Sequence, residues 1–244
     1  MTTEVSTRRP SRASRRTGIA YLGIIATGIF AEFAVRSSLV VDDDPIETAA
    51  NIADSPGLFR LAISADVMMI GFDVVVALGL LGLLRHVDRR LAITATALRL
   101  IQGAVIAVNL LNLTDALDAA DRAVRSDGTV IPAAAREALD AVEAHAVGYD
   151  IGLIAFAFSC IVIARLLAVG GLASRFFVWG MAATGAVYLI GSSVAVLAPD
   201  RSALVDPLYV IPLVVELAFA VLLITRGLSN TSDTTRPQPV ATPA

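Results

Sequence analysis

Six stretches of this 244-residue chain stay apolar for the length of a membrane-crossing helix, at about 18–36, 58–84, 91–114, 146–169, 176–198 and 206–226. A bilayer's hydrocarbon core is about 30 Å thick, so about 20 helical residues cross it, and the longer blocks would tilt or protrude. A soluble domain of this size has no interior large enough to hide six such helices. Hydrophobic residues make up 56% of the chain, charged residues 17%, and the mean hydropathy is +0.75. Backbone polar groups in lipid must be satisfied within the segment, which favours helices. The pattern predicts an all-α, polytopic membrane helical bundle of six transmembrane helices, with the lipid bilayer as its main partner.

All 19 basic residues are arginine, and their placement orients the chain. With the N-terminus inside, segments 1–17, 85–90, 165–175 and 226–244 hold 12 arginines against the three acids Glu4, Asp88 and Asp233. The opposite loops, 37–57, 115–145 and 199–206, hold 14 acids against four arginines. The positive-inside rule then places both termini in the cytoplasm. Residues 18–228 form the membrane domain. Residues 1–17, basic and rich in Ser, Thr and Pro, and 229–244 are expected to be disordered cytoplasmic tails. The N-terminal arginines are read as a flank to the first span, and no nucleic-acid partner is expected. Exclusive use of arginine together with much Ala, Val and Leu suggests a GC-rich bacterial genome, and hence a bacterial plasma-membrane protein.

The outer loops carry helix signals. Asp44-Pro45-Ile46-Glu47 reads as an N-cap, a proline at the first helical position and a capping-box glutamate, opening a short outer helix near 45–53. Ser55-Pro56 repeats the signal ahead of the second span. After Asp127-Gly128, Pro132 opens an Ala-rich stretch with Arg136 and Asp140 one turn apart, and no breaker precedes the fourth span. That helix should extend outward. The segment Thr17-Gly18-x-x-Tyr21-Leu22 resembles Thr184-Gly185-x-x-Tyr188-Leu189, and the even-numbered spans each carry an acid and then an arginine, as three related hairpins would.

Charge within the spans is the sharpest functional signal. A charged residue at the bilayer centre costs about 2.5–3.5 kcal/mol on insertion scales, so such residues face the bundle interior and need partners. At about 1.5 Å of rise per residue, Asp73, Arg99 and Glu216 fall near mid-membrane and form a candidate polar cluster. Glu32, Arg36, Arg60, Asp66, Asn109, Asn112, His145, Tyr149 and Asp150 fall in or near the outer half and form a candidate vestibule open to the exterior. Asp66 and Asp73 share one helix face; Arg99, Gln102 and Asn109 share another. Five span carboxylates face three arginines, Arg36, Arg60 and Arg99. Either some acids keep a proton or a cation restores the balance. Pro212, four residues before Glu216, is expected to kink the sixth span.

Other chemistry leaves few traces. The two histidines, His86 and His145, lie on opposite sides of this topology, which excludes a bis-His haem within one chain, and a three-His zinc site fails on count. A mixed metal site from His145, Asp150, Glu32 and Asp66 is conceivable from position alone. Cys160 is a lone cysteine within a span. No P-loop, dinucleotide-binding glycine pattern, nucleophile elbow or Cys-x-x-Cys occurs, so no cofactor and no catalytic residue is assigned.

The run Gly28-Ile-Phe-Ala-Glu32-Phe-Ala-Val-Arg36-Ser-Ser-Leu39, with Thr48-Ala-Ala-Asn-Ile52 and Gly57-Leu-Phe-Arg60-Leu61, resembles the bacterial family designated domain of unknown function 4386. So do Leu98-Arg99-Leu-Ile-Gln102, Val108-Asn109-Leu-Leu-Asn112-Leu113, His145 to Asp150, Leu197-Ala-Pro-Asp200 and Pro212 to Glu216. The likeness covers about 14–228. It implies a polytopic membrane protein, supplies no activity, and draws attention to Glu32, Arg60, Asp66, Arg99, Asn109, Asn112 and Glu216.

The leading expectation is a membrane protein that binds or conducts a small solute, ion or proton through the outer polar vestibule. The alternatives are a non-catalytic scaffold or sensor subunit whose charge cluster is structural, and a lipid-modifying membrane enzyme built on His145, Tyr149 and Asp150 with Glu32. The sequence fixes neither substrate nor oligomeric state.

Overall fold

The computed structural model describes residues 10–125 and 128–228. The tail expectations for 1–9 and 229–244, and Asp127 of the expected turn, lie outside the described residues. The described residues are 88% helical, and there is no strand among them. Helix α1 spans Arg12–Ile29 and runs on through a π-helical segment, Phe30–Arg36, into the short α2, Ser37–Leu39. Then come α3 (Pro45–Asp54), α4 (Pro56–Leu84), α5 (Arg89–Ala123), α6 (Pro132–Gly170), α7 (Arg175–Leu197), two 3-10 turns (Pro199–Leu204 and Asp206–Tyr209) and α8 (Val210–Thr225). Six of these elements are long and apolar enough to cross a membrane: Arg12–Leu39, Pro56–Leu84, Arg89–Ala123, Pro132–Gly170, Arg175–Leu197 and Asp206–Thr225.

Local chemistry explains most helix ends. Asp44 caps α3, its carboxylate accepting from the Glu47 N–H at 3.0 Å, with Pro45 at the first turn as expected. Asp88 caps α5 by accepting from the N–H groups of Arg90 and Leu91 at 2.8 and 3.0 Å. Gly171, at φ 58°, closes α6 while the Leu172 N–H reaches back to the Leu167 carbonyl at 3.1 Å. Helix α1 begins at Arg12, inside the stretch expected to be tail, because Ser11 accepts from the Ser14 N–H at 3.1 Å and starts the helix early.

Two boundary expectations are corrected. The third span does not stop near 114: α5 runs to Ala123, and most of the expected outer loop is a helical hairpin turning between Val124 and Ile131. Asp115, Asp118 and Asp121 had looked like loop residues. They lie on the exposed face, whereas Ala116, Ala119, Ala120 and Ala123 are buried against Ala135 and Ala138 of the outward-extended α6. Pro212 does not kink a membrane helix. It sits in the first turn of α8 after a 3-10 turn, where its missing N–H breaks no hydrogen bond.

The spans form a closed ring. Each packs on its neighbours in sequence, α1 on α4, α4 on α5, α5 on α6, α6 on α7 and α7 on α8, and α8 returns to α1. The Ser14 hydroxyl donates to the Leu223 carbonyl at 2.8 Å across that closure, so both ends of the membrane domain emerge on one side. On the other side α3 lies against α5 and α6, and with their hairpin it makes a helical cap. The outer surface of the ring is apolar, with Val108, Leu111 and Trp179 exposed, as lipid contact requires. The two Thr-Gly-x-x-Tyr-Leu segments occupy equivalent places. A Cβ on Gly18 would lie 2.7 Å from the Ala220 carbonyl and from Ile224, and one on Gly185 would lie 2.7 Å from the Ala157 carbonyl and from Ile161. Small residues let these backbones touch, the main source of helix association in lipid.

Gly18→Leu and Gly185→Leu should each destabilise the bundle by about 1–3 kcal/mol through overpacking, measured as thermal unfolding in detergent. Gly71→Ala, which faces open space, should leave the midpoint unchanged.

Candidate functional site

The polar residues of the spans gather at two levels of the ring. At the centre, Arg99 of α5 is 2% exposed, and its Nε donates to Asp73 Oδ1 of α4 at 2.6 Å. Aromatic faces hold the guanidinium carbon, the Tyr21 ring of α1 at 5.0 Å and the Phe156 ring of α6 at 4.6 Å. Glu216 of α8 accepts a hydrogen bond from the Tyr188 hydroxyl of α7 at 2.9 Å. All six spans therefore contribute a side chain. Asp73, Arg99 and Glu216, the three residues expected near mid-membrane, line one cavity of about 60 Å³ together with Gln102, Tyr149 and Tyr188.

That cavity holds room for water and mixes polar with apolar walls. Asp73 Oδ2, Arg99 Nη1 and Gln102 Oε1 are buried without a protein partner. A water needs about 10–15 Å³ measured this way and two or more polar partners, so a few waters fit. A smaller void of about 10 Å³ touches Arg99 from the side of the termini, between Leu80, Leu84, Ala92 and Ile163, and is apolar. Beside it, the Ser159 hydroxyl donates to the Ala95 carbonyl at 2.9 Å, fastening α6 to α5, and the Thr96 hydroxyl donates to the Ala92 carbonyl of its own helix at 2.9 Å.

The second level lies towards the cap. Arg36 is 6% exposed and joins two acids, Glu32 Oε2 at 2.8 Å and Asp66 Oδ2 at 2.6 Å. Glu32 and Arg36 both belong to the π-helical segment, a wider turn that recurs at functional sites. Nearby, Asn109 Nδ2 lies 2.7 Å from the His145 carbonyl and 3.1 Å from His145 Nδ1, and Asn112 Nδ2 donates to Asn109 Oδ1 at 2.8 Å. Asn109 comes this close because it rests on Gly148, where any side chain would collide with its amide. His145 Nε2 and Asp66 Oδ1 are buried and unpartnered.

This outer group departs from the expected vestibule in three ways. It is covered: Arg36, Asp66, Asn109 and His145 are buried, and Glu32 is the charged member that reaches the surface. Arg60 is exposed on α4 and stands apart from it. Asp150 is half-buried, and among the described residues no hydrogen bond or ion pair joins it to Arg36, Asp66, Asn109 or His145. Among the described residues no three His, Cys, Asp or Glu side chains are placed to hold a metal ion. Neither the mixed metal site nor the His145–Asp150 pairing needed for lipid chemistry is assembled. The aromatic residues around Arg99 escaped sequence reasoning. A signal for Tyr21, and for Tyr188 beside Glu216, was present, since these two tyrosines hold the same place in the two Thr-Gly-x-x-Tyr segments.

A family model described as Domain of unknown function (DUF4386) matches residues 16–227. No curated protein and no solved structure matches the chain.

Removing one member of a buried ion pair strands the other and costs about 3–5 kcal/mol, whereas removing both charges is far milder. Arg99→Gln alone should therefore unfold at markedly lower temperature than wild type. Asp73→Asn combined with Arg99→Gln should recover much of that loss, read as a double-mutant cycle of thermal unfolding.

Proposed function

The chain belongs to the DUF4386 family and carries six helices long and apolar enough to cross a membrane, and on that premise we propose that it binds and exchanges a proton at its central cavity. One observation carries the reading: two buried carboxylates, Asp73 and Glu216, surround a water-sized cavity with a single guanidinium, that of Arg99. Asp73 holds Arg99 directly, while among the described residues Glu216 has no ion-pair partner. An unpaired carboxylate is costly in the interior of a membrane protein, and a proton on Glu216 removes that cost. Of the ligands considered from sequence, a proton also suits the size of the cavity best, since a few waters fill it and can carry protons to and from Glu216. The orientation that goes with this reading places the cap outside and both termini in the cytoplasm of a bacterial cell, following the arginine bias.

The scaffold or sensor reading draws support from the enclosure of Arg99 between two rings. It differs in expecting no exchange at Glu216.

Difference infrared spectra of the protein in liposomes should show a protonated-carboxyl carbonyl band that responds to bulk pH and disappears in Glu216→Gln. A band that survives in that variant, or none at any pH, removes the proposal. Single-cysteine variants in a Cys160→Ser background test orientation. Asp118→Cys should react with an impermeant maleimide in intact cells, and Asp88→Cys only after permeabilisation.

A further inference from the structure

Between the two polar levels stands a half-buried tyrosine with an unusually poor partner. Tyr149 lines the central cavity, and its hydroxyl's recorded hydrogen bond goes to the Met69 sulfur at 3.7 Å, across the ring from α6 to α4. A thioether is a weak acceptor, so this hydroxyl is held loosely where a phenol inside a protein normally finds an oxygen. Tyr149 shares the cavity lining with Asp73, Arg99 and Glu216, and it interacts electrostatically with Asp66, Arg36 and Glu32 of the outer group. His145 lies one turn before it on α6, with ring centroids 6.2 Å apart. Above it the buried Asp66 Oδ1 and His145 Nε2 lack partners; below it Asp73 Oδ2 does.

We infer that Tyr149 is the relay through which protons pass between the outer polar group and the central cavity, with Asp66 and His145 as the outer station. The inference rests on the proton reading of that cavity. In the inward direction the outer station gives a proton to the Tyr149 oxygen, and the tyrosine releases its own proton to cavity water, which passes one to Glu216. Tyr149 is neutral before and after, and no bond other than O–H or N–H changes. Glu32, its side chain 58% exposed and joined to Arg36, is where the outer station meets bulk water.

The test follows Glu216 by time-resolved infrared after a jump in external pH, in liposomes holding the full chain. Tyr149→Phe keeps the ring and removes the hydroxyl. It should slow the response at least tenfold and leave its final amplitude intact. Met69→Leu, which removes only the weak acceptor, should respond at the wild-type rate. Asp66→Asn combined with His145→Gln should slow the response as Tyr149→Phe does. An unchanged rate in Tyr149→Phe overturns the relay while leaving the central site standing. Lost amplitude in folded Tyr149→Phe overturns it too, because the hydroxyl would then build the site instead of feeding it. Absence of the band in wild type removes the central reading and the relay with it.

Discussion

Arg99 is a permanently charged group at the centre of an assembly that offers it no bulk water. Arginine does not give up its proton inside proteins, so the structure around it has to supply compensation. The ring of six helices does this by division of labour. One neighbour gives a carboxylate, two spans give aromatic faces, and the remaining polar groups border a water-sized space. Replacing any of these by a small apolar residue would leave the guanidinium short of partners, which is why the bundle closes around this position.

The same arrangement recurs one level up with less burial. Arg36 joins two carboxylates where Arg99 joins one, and one of the two, Glu32, reaches the surface. The difference lies in backbone form. Arg99 sits on a regular helix, whereas Glu32 and Arg36 sit on a π-helical stretch that widens the turn. The cap formed by α3 and the α5–α6 hairpin covers the region above, packed chiefly through alanines that let its helices approach closely.

Periodicity and charge made much of this legible before any coordinates. Each of the six spans was visible because a helix facing lipid must be apolar along its whole length, and the mid-membrane trio was visible because charge there has to be explained. What sequence could not show were relations between helices. Asp150 looked equivalent to Asp73 and Glu216 as an acid within a span, but its place on α6 leaves it out of the central cavity that those two line. Arg60 is indistinguishable from a lining residue until the facing of α4 is known. The acids of 115–121 disguised a helix, since acidity marks exposure and exposure is shared by loops and by the outer faces of helices.

Ring closure between the first span and the last has a consequence for how the molecule is made. The Ser14 hydroxyl meets the Leu223 carbonyl, so the N-terminal helix waits for the final helix to leave the ribosome before its second neighbour exists. The Asp73–Arg99 pair joins adjacent spans and is available as soon as α4 and α5 enter the bilayer together. Glu216 arrives last. During synthesis, then, the nascent chain carries a neutralised central pair through an open-sided intermediate, and the unpaired acid enters only as the helix that completes the wall.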